Sequence, residues 1–217
     1  MEYEKSGLNR VKRGRKNSSY DQEVVYSILD DSEVCSVAFN VDGKAHVQPI
    51  NFGRSGDKLY MHGSSKNRMT SALLDSGEVS LSVMTLDGMK LTRSAFKHSV
   101  NYRSVVVFGS VRELTTDEEK LEGLKAIVNH FVPGRWDYCR APNRKELKAT
   151  RVIEVEIQTA SAKIDEYPPA DEQEDYALGY WSGTIPVKTT YLPPVPDEKL
   201  RDGIEIPQHV LDFLESR

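Results

Sequence analysis

Closely spaced β segments joined by tight turns constrain the fold of this chain most strongly. The segments 34–40 and 45–52 flank Asp42-Gly43, a dipeptide typical of β-hairpins. A second turn, residues 53–57, leads directly into the β-rich segment 58–62. Three strands therefore follow one another as a meander, because the connections are too short for βαβ crossovers.

The rest of the chain repeats this pattern and adds helices. Further strands are predicted at 78–85, 90–96, 104–114 and 151–157, with Asp87-Gly88 as the turn between the first two. Helices are predicted after Asp21 and at 65–74, 116–132, 143–149 and 206–213. About six antiparallel strands with an inserted helix predict a mainly β protein built on a small barrel.

Composition indicates a soluble globular protein, with 38% apolar and 29% charged residues among 217. No apolar run reaches membrane-spanning length, and the polar, basic start does not resemble a signal peptide. Cys35 and Cys139 are far apart without CxxC spacing, which favours reduced thiols. We therefore expect a cytoplasmic protein that is not associated with membranes.

Charge is distributed unevenly along the chain and suggests three regions. Residues 1–16 contain six Lys or Arg and two Glu, whereas residues 165–217 contain twelve acids and four bases. Seven of the ten prolines lie from Pro168 onward, as expected for an extended tail. We predict a basic arm (1–20), a barrel domain (21–165) and a tail (166–217) that packs on the barrel or on a partner subunit. No nucleic-acid-binding motif follows the arm, so nucleic acid is not an expected partner.

The segment Leu59–Met69, LYMHGSSKNRM, is the strongest candidate for a binding site. It combines a predicted strand end, two hydroxyl residues proposed as helix caps (Ser64 and Ser65) and two cations (Lys66 and Arg68). Free backbone N–H groups, hydroxyls and cations at one corner suit a phosphate. An ordinary capped surface helix with solvated charges is the alternative interpretation.

Missing motifs narrow the choice of chemistry. The chain contains no GxGxxG or GxxxxGK[ST] loop, no GxSxG elbow, and no HExxH or HxE/CxxC zinc pattern. A phosphate-binding corner would therefore belong to a β fold rather than to a parallel α/β sheet, and we expect no metal site. Bound cofactors can supply redox chemistry without a catalytic triad.

Six motifs in order carry a family resemblance: LYMHGSSKNRM, SAFKHSVNYRSVVVFGSV, PGRW, RAPNRKELKAT, SAKI and YWSGTIP. Together they resemble the FMN-binding split-barrel family related to pyridoxamine 5′-phosphate oxidase, and most closely its flavin-nucleotide-binding branch with the nitroimidazole-resistance proteins. The resemblance extends from about Arg10 to Pro186. It implies a six-stranded antiparallel split β-barrel that forms homodimers with FMN at the interface.

The resemblance also implies which residues contact FMN. The strand Gln48, Pro49, Ile50 and Asn51 would lie along the isoalloxazine, and Met61, His62 and Gly63 would flank it. The phosphate would be held by Ser64, Ser65, Lys66, Asn67 and Arg68. Arg103 and Ser104 would reach the cofactor from a strand start, and Trp181 would pack near the cleft, from either subunit.

His62 is the one residue for which the resemblance implies a catalytic role, because nitroimidazole-resistance relatives have a reactive histidine near this position. The acidic, proline-rich segment YPPADEQEDYALGYWSGTIP departs from the oxidases, which argues against vitamin B6 oxidation. We therefore predict an FMN-dependent oxidoreductase that acts on an unidentified small molecule, such as a nitro compound, with NAD(P)H as a candidate electron donor.

Two alternatives stay open. One is a flavin-binding or electron-transfer protein without a substrate of its own. The other is a haem-binding or haem-degrading split barrel, in which His98 or His209 would ligate the iron.

Overall fold

A computed structural model describes all residues, 1–217, and contains a single antiparallel sheet. Its strands are β1 (Ser18–Ser19), β2 (Val34–Val41), β3 (Lys44–Asn51), β4 (Gly53–Ser55), β5 (Lys58–Ser64), β6 (Glu78–Leu91), β7 (Ser99–Leu114), β8 (Thr150–Asp165) and β9 (Gly183–Pro186). The helices are α1 (Gln22–Asp30), α2 (Arg68–Ser76), α3 (Asp117–Phe131), α4 (Arg144–Ala149) and α5 (Gln208–Glu215).

The strand order β3-β2-β6-β7-β8-β5-β4 confirms the predicted mainly β split barrel. Six longer strands (β2, β3, β5, β6, β7 and β8) form the barrel, and three short ones supplement it. Because β3 and β4 lie at opposite ends of this order, the sheet curls round without closing by hydrogen bonds between its edges.

The barrel interior is filled by alternate residues of the strands. Val37, Leu59, Met61, Val105 and Val155 are all fully buried, as period-2 alternation requires for an inward-facing row. Outside the barrel, α3 packs closely on β4. A Cβ atom at Gly53 would lie 2.5 Å from the backbone of Ile127, so only glycine permits this approach.

Local signals predicted most of the elements correctly. Asp21 caps α1 through its carboxylate, and Asp42 and Gly43 take the positive φ values of a hairpin turn. Thr116 with Glu119, and Asn143 with Glu146, form the capping boxes of α3 and α4.

Two strand predictions were wrong. The segments 78–85 and 90–96 are not separate strands, because β6 runs unbroken to Leu91 and absorbs Asp87 in a bulge between Leu86 and Gly88. The Asp-Gly dipeptide therefore produces a bulge here rather than a hairpin. The strand predicted from residue 104 starts earlier, because β7 already begins at Ser99.

Both ends of the chain pack on the barrel. In the arm, Ser18 and Ser19 pair with Lys163 and Ala162 of β8, and the buried Asn9 donates to Thr159 and to the Ala160 carbonyl. In the tail, β9 pairs with residues 88–91 of β6, and α5 follows after a long extended segment. Cys35 and Cys139 are both free thiols. No helix has the length and apolar character needed to cross a bilayer.

Candidate cofactor-binding site

The corner between β5 and α2, residues 61–68, is called here the Ser64 corner. The strand continues to Ser64 and the helix starts only at Arg68, so the predicted helix start at residue 65 was wrong. Asn67, rather than Ser64 or Ser65, caps α2 by accepting a hydrogen bond from the Thr70 N–H at 3.1 Å. An asparagine at this position stabilises the first turn more directly than the serines can, since they lie outside it.

Charge at the Ser64 corner is uncompensated. Lys66 and Arg68 are exposed, and neither takes part in an ion pair or donates a side-chain hydrogen bond. The first backbone N–H groups of α2, at Arg68 and Met69, lie before the first intrahelical bond and have no acceptor in the protein. Two cations, two N–H groups without acceptors and the exposed hydroxyls of Ser64 and Ser65 therefore lie within residues 64–69, a combination that suits a phosphate.

His62 is the titratable group next to this corner. Alternation along β5 points Met61 into the barrel and His62 to the opposite face, which Tyr60 shares and α3 covers. The imidazole is half-buried, and Nδ1 is buried without a hydrogen-bond partner. Burial lowers the pKa of His62 below its usual value of 6.5. The ring is therefore neutral near pH 7 with a lone pair available, the form that binds metals.

The predicted ring-binding strand lies at an open edge. Gln48, Pro49, Ile50 and Asn51 belong to β3, which pairs only with β2. The chain passes from Asn51 through Phe52 into β4, which pairs with the start of β5, so the end of β3 approaches the Ser64 corner. Backbone N–H and C=O groups on the free edge of β3 can therefore form hydrogen bonds with a planar ligand between β3 and the Ser64 corner.

Arg151 is a neighbouring cation that sequence reasoning missed. It pairs with Gly63 in the sheet and donates to Ser71 Oγ of α2 at 2.8 Å, with a weaker ion pair to Glu113 at 3.4 Å. It thereby fixes α2 against β8. No local motif marks this arginine, because its position at the corner depends on β5–β8 pairing.

Arg103 and Ser104 are not brought to the Ser64 corner of the same chain. Arg103 pairs with Thr85 and Ile164, whereas Ser64 pairs with Thr150 at the other end of β8. Fourteen residues of β8 separate the two places, which is up to about 45 Å of strand. If Arg103 and Ser104 reach a flavin held at a Ser64 corner, that corner belongs to a partner subunit.

The guanidinium of Arg103 is already engaged by two carboxylates. It donates to both oxygens of Asp87 at 3.1 Å and to Asp31 at 2.7 Å, and these hydrogen bonds raise its pKa. Arg217 donates to Asp31 as well, at 2.9 Å. Arg103, Asp31, Asp87 and Arg217, called here the Arg103 cluster, line one cavity of about 500 Å³ with Met84, Leu86 and Tyr191.

The other predicted residues lie elsewhere. Trp181 is 68% exposed and its ring covers Gly183, at the β9 side of the molecule. His98 is exposed, and its Nδ1 lies 3.2 Å from the Ser94 carbonyl and 3.3 Å from Thr92 Oγ1. His209 stacks on Tyr138 at 4.3 Å, and both of its ring nitrogens are covered by protein atoms. Of the three histidines, His62 is the one that lies beside the unpaired cations of the Ser64 corner.

The fold and the Ser64 corner together define an antiparallel split barrel with a cationic strand-to-helix corner. The family profile described as pyridoxamine 5′-phosphate oxidase matches residues 21–164. A comparison with curated proteins gives no match. The chain therefore belongs to the pyridoxamine 5′-phosphate oxidase-like family of split barrels.

Solved structures agree with this assignment. Flavocytochrome Anf3 from Azotobacter vinelandii is 37% identical with a TM-score of 0.90, over 96% of this chain and 97% of that chain. The FAD and haem binding protein from Mycobacterium smegmatis is 35% identical with a TM-score of 0.85, over 91% and 97%. A candidate 5-nitroimidazole antibiotic resistance protein from Bacteroides thetaiotaomicron, 22% identical with a TM-score of 0.58 over 68% and 86%, shares the fold.

Proposed function

We propose that this protein is a redox protein that binds both a flavin nucleotide and haem. The flavin phosphate is held at the Ser64 corner, and His62 ligates the haem iron. The observation that carries the proposal is the neutral, unpartnered imidazole of His62 beside two unpaired cations. The two similar structures named for flavin and haem support the same combination.

The flavin part of the proposal rests on charge and shape. The phosphate of a flavin nucleotide needs cations and N–H donors at one end, and the ring needs a wall with backbone hydrogen-bonding groups at the other. The cations and N–H donors are supplied by Lys66, Arg68 and the start of α2. The wall for the ring is supplied by the open edge of β3. Sequence reasoning predicted FMN. The name of the Mycobacterium smegmatis protein makes FAD an equal candidate, so the proposal is for a flavin nucleotide of either kind.

For the haem part we propose His62 as the iron ligand, as an alternative to the His98 or His209 that the sequence analysis named. No group of three or more His, Cys, Asp or Glu side chains could hold a free metal ion. Haem would bring its iron already bound within the porphyrin, so a single protein side chain would be enough to hold it. We propose His62 for this role because it lies beside the open Ser64 corner and burial lowers its pKa, which favours the neutral ring near pH 7.

When bound, a flavin supplies one- and two-electron chemistry and haem supplies one-electron chemistry. The residues of this chain would bind and orient these groups. We therefore propose an oxidoreductase or electron-transfer role, with NAD(P)H as the candidate electron donor. Nitro-compound reduction is part of the proposal as an activity to be assayed, and the cytoplasm is the proposed location.

A homodimer is proposed on the basis of an apolar outer face. Val34, Met84, Leu86 and Val106 lie on neighbouring strands β2, β6 and β7 and are 53%, 60%, 38% and 37% exposed. A second copy would remove this surface from water, as in other closed symmetric assemblies. It would also allow Arg103, Ser104 and Trp181 of one chain to approach the Ser64 corner of the other.

The spectrum of the purified protein, combined with one substitution, tests the proposal. We expect a haem Soret band together with flavin absorbance in the wild type. His62→Ala should lower haem affinity by more than about 100-fold, because loss of a direct iron ligand exceeds the 10–100-fold typical of outer-shell partners. His98→Ala and His209→Ala are matched controls that should keep the Soret band.

Each outcome can be assigned to one part of the proposal. Flavin in His62→Ala should stay at the wild-type stoichiometry, because phosphate binding does not need the imidazole. A full Soret band in His62→Ala would overturn the haem assignment, and a wild-type spectrum without flavin bands would overturn the flavin assignment. Acid release and chromatography distinguish FMN from FAD, and anaerobic mixing with NADPH tests the electron donor.

A further inference from the structure

A cavity of about 430 Å³ lies beside the basic N-terminal arm, at the other end of β8 from the proposed cofactor corner. It is lined by Glu2, Lys5, Arg10, Val11, Arg15, Ser18, Ser19 and Tyr20. Its volume falls within the roughly 300–1,000 Å³ typical of small-molecule sites. Nothing in the proposed flavin or haem site uses this cavity.

The arm holds these residues in defined positions. The buried Asn9 anchors it to β8, the Tyr3 N–H donates to the Tyr20 carbonyl at 2.9 Å, and the Val11 N–H donates to Tyr20 Oη at 2.9 Å. The ammonium group of Lys5 lies 4.8 Å above the Tyr20 ring. The cations that follow these anchors are therefore placed by the fold and not by a free-moving tail.

The cations of the arm lack counter-ions. None of the six Lys and Arg side chains in residues 1–16 forms an ion pair, whereas Arg54, Arg93 and Arg112 of the barrel all do. Three cations, Lys5, Arg10 and Arg15, face the cavity with a single carboxylate, Glu2. Like charges gathered around one cavity repel each other, and a bound polyanion removes that repulsion.

We propose that this cavity, called here the arm site, binds the pyrophosphate of a nucleotide. The excess of two positive charges at its lining matches a diphosphate better than a single carboxylate. The arm site is separate from the Ser64 corner of the same chain, because Ser18 pairs with Lys163 and Ser64 pairs with Thr150. Thirteen residues of β8, up to about 43 Å of strand, lie between them.

Two ligands carry this pyrophosphate. One is the adenylate half of FAD whose flavin end lies at a partner's Ser64 corner, and the other is a reduced nicotinamide dinucleotide that delivers electrons. ADP contains the pyrophosphate and adenosine common to both, without either redox ring. It is therefore the probe for the arm site itself.

The experiment is a calorimetric titration of ADP into the full-length protein in saturating FMN, so that the Ser64 corner is occupied. Arg10→Ala/Arg15→Ala should weaken ADP binding by about tenfold or more, the effect of losing charge-assisted hydrogen bonds. Lys12→Ala/Arg13→Ala is the matched control. It removes the same charge from the same arm, but neither residue lines the cavity, so less than about threefold weakening is expected from long-range attraction alone.

Further titrations distinguish the two sources. If Arg10→Ala/Arg15→Ala weakens FAD binding and leaves FMN binding unchanged, the arm site holds the adenylate half of the flavin. If it weakens NADPH binding and leaves FAD binding unchanged, the arm site serves the electron donor. Either result supports the proposal.

The proposal is overturned if ADP shows no saturable binding to the wild type, or if both double variants weaken binding equally. Circular dichroism of Arg10→Ala/Arg15→Ala confirms that the arm variant is folded. The titration does not use the flavin or haem spectrum, so a failed arm site and a failed cofactor assignment give different results.

Discussion

Two clusters of basic residues lie at opposite ends of β8, and they differ in whether the protein itself provides partners for their charges. At the Ser64 corner, Lys66 and Arg68 have no carboxylate partner, and the nearby His62 has no hydrogen bond to its buried Nδ1. In the Arg103 cluster, each guanidinium is bound by carboxylates of Asp31 or Asp87 at 2.7 to 3.1 Å. One cluster is open to a ligand, and the other is complete without one.

This difference distinguishes cations that are free to bind an anion from cations that are already paired, which residue type alone does not do. An arginine saturated by two carboxylates ties together the loop after α1, the bulge of β6 and the start of β7. An unpaired cation at a helix start gains little from its own protein and can gain from an anion. Sequence alone does not distinguish the two, because both are arginines in polar surroundings.

Substitutions at the Ser64 corner should affect cofactor binding more than substitutions in the Arg103 cluster. We expect Ser64→Ala/Arg68→Ala to raise the dissociation constant for the flavin nucleotide by about 100-fold, because one charge-assisted and one neutral hydrogen bond are lost. Fluorescence titration of the flavin-free protein measures this. Arg144→Ala, which removes an exposed arginine of α4 without an ion pair, is the control and should bind flavin normally. Unchanged affinity in the double variant would place the phosphate elsewhere.

Disrupting the Arg103 cluster should reduce the stability of the fold instead. Arg103→Ala leaves Asp87 without an ion-pair partner, whereas Asp31 keeps Arg217, and we expect a loss of about 1–2 kcal/mol in the free energy of unfolding. Urea denaturation measures it, and Arg103→Lys should recover only part of the loss because lysine cannot donate to both oxygens of Asp87 in the same plane. The sequence-based prediction that Arg103 reaches the cofactor is tested in parallel. A large rise in flavin dissociation constant would support it and contradict a purely structural role.

Much of the fold could be predicted because its signals are local. The Asp42-Gly43 hairpin, the Asp21 cap and the capping boxes of α3 and α4 depend on residues within four positions of one another. The same kind of local signal gave a wrong prediction at Asp87-Gly88, where a turn between two strands was expected. There, pairing of β6 with β7 and β9 on both sides keeps the strand continuous, and the dipeptide becomes a bulge.

The candidate site was harder to predict for the same reason. The segment from Ser64 to Arg68 is contiguous, so sequence reasoning could predict an anion-binding corner there. Arg151 depends on the register between β5 and β8, and the pairing of Arg103 with Asp31 joins residues 72 positions apart. Neither the position of Arg151 nor the pairing of Arg103 with Asp31 is therefore marked by a local signal in the sequence.

The smallest expected effect concerns proton binding at the two clusters. The arginines stay charged throughout the physiological range, so the Arg103 cluster contributes no pH dependence through its guanidinium groups. His62 differs, because burial lowers its pKa below 6.5 in the folded protein. Between that lowered pKa and the ordinary value, the unfolded chain binds a proton that the folded protein does not.

The sign of the effect follows from this difference in proton binding. Stability should fall as the pH decreases through the window below 6.5, and it should be unaffected by His62 at higher pH. In urea denaturation of cofactor-free protein at pH 7.5, 6.5 and 5.5, wild type should therefore lose more stability than His62→Gln. His98→Gln is the matched control, since this exposed histidine should leave the wild-type pH dependence in place. Equal pH slopes for wild type and His62→Gln would show that the imidazole already accepts protons freely, which would remove the argument for a neutral metal-binding histidine beside an open anion corner.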